Sequence, residues 1–67
     1  MTKSRLLAFQ FLSLPYHKQA EIAVSLGIVG DIKDAPQTID ELAILVFQRA
    51  SDMGKVDELR KLVEEAK

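Results

Sequence analysis

The stretch "PYHKQAEIAVSLGI", residues 15–28, decides how this chain folds. A proline at its head suits the opening turn of a helix, where a missing N–H costs nothing. From there Ala20, Ile22, Ala23 and Leu26 gather on one side, with His17, Lys18, Glu21 and Ser25 on the other. Gly27 fits the left-handed residue just past the helix, and Ile28 folds back over the last turn in a Schellman close. The phrase Ala-Val-Ser-Leu-Gly-Ile also precedes the reading helix of many DNA-binding helix-turn-helix units. Such a unit needs its second helix after three or four residues, with polar and basic side chains aimed at base edges. Here Val-Gly-Asp-Ile-Lys-Asp-Ala-Pro follows, with two aspartates against one lysine, so phosphates would be repelled. The stretch reads as a packing helix.

Upstream, a helix is expected from about Lys3 to Ser13. Leu7, Phe11 and Leu14 stand at i, i+4, i+7, and Leu6, Phe9 and Leu12 widen the stripe. A helix apolar over so much of its circumference belongs at the centre of a domain or under a partner. Basic residues before an apolar run can also mark a signal peptide. This run is broken by Gln10 and Ser13, stops at Pro15 and lacks a small-residue cleavage site, so a core helix fits better. It falls far short of the roughly 20 apolar residues of a membrane span.

Downstream, residues 29–37 are irregular. Val29 and Ile32 are expected to pin them to the core, with a short helical turn around Asp31–Asp34 ended by Pro36. Thr38-Ile39-Asp40-Glu41 then fits a capping box, Thr38 as N-cap and Glu41 reaching back. The third helix turns Ile39, Leu42, Ala43, Val46, Ala50 and Met53 inward, with Leu45 and Phe47 at the margins, and Gly54 stops it. A fourth helix follows at once and should return along the third as a hairpin. Its stripe is Val56, Leu59, Leu62, Val63 and Ala66. Asp57 with Lys61, Arg60 with Glu64, and Lys61 with Glu65 are i,i+4 pairs on its wet side. No alternating β-branched run remains. The fold class is all-α, a compact antiparallel bundle of four main helices plus a short turn, with Phe11, Ile22, Leu26, Leu42, Val46, Leu59 and Leu62 as core.

Sixty-seven residues make one domain, so residues 1–67 are read as a single helical interaction domain. The last helix reaches Lys67 without a glycine stop, as in a piece of a longer protein or an ordinary frayed end. Hydrophobic residues form 48% of the chain, too many for a disordered tail. Cysteine is absent, which suits a reducing cytoplasm and leaves no thiolate metal site or disulfide. The net charge of −1 gives no general attraction to nucleic acid.

Catalysis needs titratable groups that converge. His17 is the only histidine and sits among solvent-facing neighbours. Asp40-Glu41 and Glu64-Glu65 are sequence neighbours at helix ends, where they cap or pair rather than form an acid–base couple. Gly27 and Gly30 follow no strand and precede no Gly-Lys-Ser/Thr, so they cradle no phosphate. The expectation is no enzyme, no cofactor and no metal. That leaves a binding module.

Its pieces run in a telling order: a leucine-rich first helix, "LPYHKQAEIAVSLGI", an acidic connection, "TIDELAILVFQRASDMGK" and "VDELRKLVEEA". Over about residues 5–66 this resembles the bacterial death-fold-like adaptor modules, the effector-associated and caspase-recruitment-like domains of conflict and antiviral proteins. Ile22-Ala23, Leu26-Gly27-Ile28, Leu42, Val46, Arg49-Ala50, Gly54-Lys55-Val56 and Leu59 carry the resemblance. It implies homotypic or heterotypic docking to a protein of the same or a related fold, recruiting an effector to a sensor, without nucleic acid or membrane. The charge layout agrees. Residues 1–20 hold Lys3, Arg5 and Lys18 and no acid, while Asp31, Asp34, Asp40 and Glu41 crowd residues 31–41. Opposite faces of this kind favour head-to-tail contact. The alternatives are a small DNA-binding or transcription-regulating domain, and a self-contained helical homodimer that buries surplus apolar area on the first helix.

Overall fold

A computed structural model of the chain describes residues 3–66, and the side chains of residues 6–66. The helices are α1 (Lys3–Leu12), α2 (Tyr16–Ser25), α3 (Ile39–Asp52) and α4 (Val56–Ala66), with one 3-10 turn, Ile32–Asp34, between α2 and α3. The described residues include no strand. No helix among them is long and apolar enough to cross a membrane.

Local chemistry sets the boundaries. Pro15 stands at the N-cap of α2 with an extended backbone, and its carbonyl accepts the Lys18 and Gln19 N–H groups. At the other end Gly27 has φ 76°, its N–H reaches the Val24 carbonyl, and the Ile28 N–H reaches Ala23 at 2.9 Å. That bond pair is the Schellman close. It recurs after α3: Gly54 has φ 69°, its N–H reaches Ser51, and Lys55 N–H reaches the Ala50 carbonyl at 2.8 Å. Thr38 Oγ1 accepts the Glu41 N–H at 3.3 Å at the start of α3. The Glu41 carboxylate makes no return bond, so half of the expected capping box forms.

The α3–α4 hairpin is the middle of the fold, since α1 and α2 each lie against both of its helices. Leu42, Val46 and Ala50 from α3, with Leu59 and Val63 from α4, are fully buried there. Phe11 enters from α1 and meets Phe47 edge-on, ring centroids 5.4 Å apart at 76°. Such a pair adds roughly 0.5–1.5 kcal/mol to the area it buries. Ala20, Ile22, Ala23 and Leu26 close the core from α2. Six of the seven expected core residues are buried, while Leu62 packs against the core from a half-buried position.

Three expectations are corrected. Leu6, Phe9 and Leu12 do not widen a buried stripe; they are exposed, because α1 lies beside the hairpin rather than inside it. Ile32, Ile39 and Met53 are also exposed, each to about two-fifths of its surface. Ile39 and Met53 sit at the two ends of α3, past the reach of the packed helices. On α4, Asp57 pairs with Arg60 one turn away at 3.6 Å, and no i,i+4 ion pair forms among the described residues.

One buried polar group carries no signal in the sequence. Gln19 is fully buried, and its Nε2 donates to the Leu14 carbonyl at 3.0 Å. That carbonyl lies in the corner between α1 and Pro15. Leaving it unpaired would cost about 1–3 kcal/mol, enough to explain an amide in the core. The Gln19 Oε1 has no partner among protein atoms.

Truncating Leu59 or Ile22 to Ala should cost about 2–5 kcal/mol, a large part of the stability of so small a domain. Denaturant melts that leave both variants at wild-type stability would contradict this packing. Thr38→Ala should cost about 1 kcal/mol and Thr38→Ser almost nothing. Equal melting of the Thr38→Ala and parent chains would show that α3 does not depend on this cap.

Candidate docking surfaces

The charged residues singled out above occupy distinct places. Lys18 lies in the second position after Tyr16 on α2 and is half-buried. Tyr16 turns its hydroxyl to the Pro36 carbonyl, a 2.6 Å hydrogen bond that ties the start of α2 to the end of the acidic segment. Two residues further on is about 200° round the helix, so Lys18 faces away from that segment. Asp31 accepts the Lys33 N–H at 3.2 Å and caps the 3-10 turn that holds Asp34. This turn packs on α2. Asp40 and Glu41 stand in the first turn of α3, where the helix dipole favours negative charge. All four acids are exposed. Lys3 and Arg5 lie on α1, but their side chains fall outside the described residues.

The structure thus gathers Asp31, Asp34, Asp40 and Glu41 around the connection into α3, and sets Lys18 on another side of α2. No ion pair within the described residues joins Lys18 to these acids. Among the described side chains, Lys18 is not neutralised by these acids inside one copy.

A second surface is apolar. Leu6, Phe9 and Leu12 line the outer side of α1. Beside it an open groove of about 270 Å³ runs between α1 and α4, lined by Leu6, Leu7, Gln10, Arg60 and Glu64. His17 is exposed, and no group of three or more His, Cys, Asp or Glu among the described residues is placed to hold a metal ion.

The connection between α2 and α3 bears on the helix-turn-helix phrase. After Leu26 the chain passes through the 3-10 turn and Pro36 before α3 begins at Ile39, and the first turn of α3 is acidic. A recognition helix follows after three or four residues and opens with groups that meet bases. Leu26-Gly27-Ile28 therefore closes a packing helix.

Helix order, exposed charge and an uncovered apolar face all point to contact with protein. The model of a family described as the GTPase-associated adaptor domain matches residues 3–65, almost the whole chain. The chain belongs to this family. Comparisons with the curated proteins and with the solved structures return no match. The adaptor class expected from the resemblance is the family's own description, and adaptor domains act through protein partners.

Two features of this GTPase-associated adaptor domain go beyond what its sequence assigns. Periodicity turns Leu6, Phe9 and Leu12 of α1 inward or under a partner, and the structure leaves them exposed. Lys55 enters the sequence reading only as part of Gly54-Lys55-Val56, with no role of its own. Its Nζ donates to the Leu26 carbonyl at 3.2 Å, so the residue that completes the close of α3 also caps the end of α2. The signal available was a lysine directly after a helix-stopping glycine, where a cation can reach free carbonyls.

Proposed function

We propose that this domain is a non-catalytic docking module, working in the cytoplasm, that recruits an effector within a signalling system built around a GTPase. The observation that carries the reading is the family match over residues 3–65. Docking is homotypic or heterotypic, to a second helical domain of the same or a related kind. We extend the reading to the death-fold-like modules of antiviral defence on the strength of helix order and packing residues.

The contact proposed pairs Lys3, Arg5 and Lys18 of one domain with Asp31, Asp34, Asp40 and Glu41 of the next. Supporting it are the exposure of the four acids and the placement of Lys18 on a different side of α2. Exposed ion pairs are worth about 0–1 kcal/mol each, so the charges act on orientation and association rate more than on affinity. Their reach is about 10 Å at moderate salt and shrinks as salt rises.

Lys18→Glu and Asp34→Lys should each weaken association by up to about fivefold per lost pair, with folding stability changed by less than about 0.5 kcal/mol. Mixing the two variants should restore part of a homotypic contact, since opposite signs meet again. Sedimentation or pull-down at low and moderate salt reads the effect. Association indifferent to both reversals and to salt would remove the charged faces from the interface.

A further inference from the structure

The outer face of α1 is a feature that the charged docking faces leave unexplained. Phe9 is 74% exposed, Leu6 53% and Leu12 47%, all on a helix whose opposite side carries the buried Leu7 and Phe11. Single exposed hydrophobics are ordinary, but three large ones on one helix face form a patch. With roughly 200 Å² for each large side chain laid bare, the three leave about 350 Å² of apolar surface in water.

Three observations say what covers it. From Leu6 to Pro15 the chain carries no ionisable acid or base, and the one charge in register with this face is Arg5, a turn before Phe9. A contact about a two-fold axis sets each group near its own image; with Phe9 at the axis the two Arg5 stand four residues to either side, about 12 Å apart along the helices and beyond the roughly 10 Å reach of exposed charges. The pattern Leu6-x-x-Phe9-x-x-Leu12 is symmetric about Phe9. Lying antiparallel to its own copy, it sets Phe9 near Phe9 and each Leu6 against the other copy's Leu12. The area is also of the right order. With a polar rim in the usual proportion, about 350 Å² of apolar core becomes about 600 Å² per copy and 1,200 Å² in all, the lower edge of specific interfaces.

We propose that the outer face of α1 is a two-fold docking site for a second copy of this chain, α1 antiparallel to α1, with Phe9 at the axis. The site adjoins Arg5 but draws on none of the charged side chains, so it stands or falls without them. Its size makes the dimer reversible. It gives the domain a self-association surface that salt does not weaken, beside charged faces that salt does.

Sedimentation equilibrium of the 67-residue chain, from low micromolar to several hundred micromolar, tests this. The parent chain should pass from monomer to dimer. Phe9→Glu should weaken the dimer at least about 100-fold, because two carboxylates then meet in a dry contact. At 74% exposure Phe9 supports little of the core, so the variant should keep its helical circular dichroism. The chain has no cysteine, which allows a second measurement. Under oxidised glutathione, Phe9→Cys should form disulfide-linked dimers much faster than Ile44→Cys, a control on α3 that is 59% exposed. A parent chain monomeric at every concentration overturns the proposal and assigns the face to a different partner. So does a dimer that survives Phe9→Glu, or equal crosslinking at the two positions. A dimer lost in Lys18→Glu and at high salt, but kept in Phe9→Glu, overturns it while supporting the charged faces.

Discussion

The burial of Phe11 against Phe47 fixes which way α1 faces, and every surface of the domain follows from that. α1 carries two phenylalanines two residues apart, about 200° round the helix, so one must point out when the other points in. Phe11 goes in because Leu7 stands with it at i−4 on one side of the helix, and Leu14, just past the end of α1, is buried too. Leu6, Phe9 and Leu12 are spaced by three, which drifts by about 60° at each step. That row fans around the helix and packs less well against a straight neighbour. The T-shaped ring contact at 5.4 Å then holds α1 to α3 in this rotation.

The helix ends are the second constraint, because a chain this small has little apolar burial to offset unpaired backbone groups. Lys55 shows how tightly the ends are shared. Its N–H closes α3 on Ala50, its carbonyl accepts the Leu59 N–H to open α4, and its Nζ reaches the Leu26 carbonyl at the end of α2. Three helices are tied at one residue. Gln19 does similar work at the opposite corner, where the chain turns from α1 into α2.

Much of this was legible because it is local. Gly27, Gly54 and Thr38 announce helix ends through backbone conformation and short-range hydrogen bonds, and they fall where sequence rules put them. The apolar stripes of α2 and α4 have a single side each, so periodicity alone orients them. α1 has two apolar sides, and periodicity cannot rank them without knowing what lies opposite. Gln19 is illegible for a related reason: its burial answers a carbonyl five residues back, freed by the turn at Pro15. The exposure of Asp31, Asp34, Asp40 and Glu41 was readable from charge and cap positions, whereas the relation of Lys18 to them needed the Tyr16–Pro36 bond. The adaptor class came from the order of packing motifs. No site chemistry reveals it, since docking asks only for shape, charge and apolar area.

An uncovered apolar face on a peripheral helix also links docking to stability. α1 is held by one side only, through Leu7, Phe11 and Leu14, while its other side stays in water. Whatever binds that other side binds the folded chain and not the unfolded one, so it adds stability by mass action. The charged faces act differently. In the docking proposed above, their pairs would add little to folding and would steer a partner into register before contact. A domain with both kinds of surface can therefore separate two tasks: salt-sensitive charge selects and orients a partner, and salt-indifferent apolar burial lengthens the stay. Because α1 contributes Phe11 to the core and Phe9 to the surface, a contact on the outside also tightens the rotation that Phe11 sets within. Under the proposed self-association, the helix that is least enclosed is the one through which association and folding would reinforce each other.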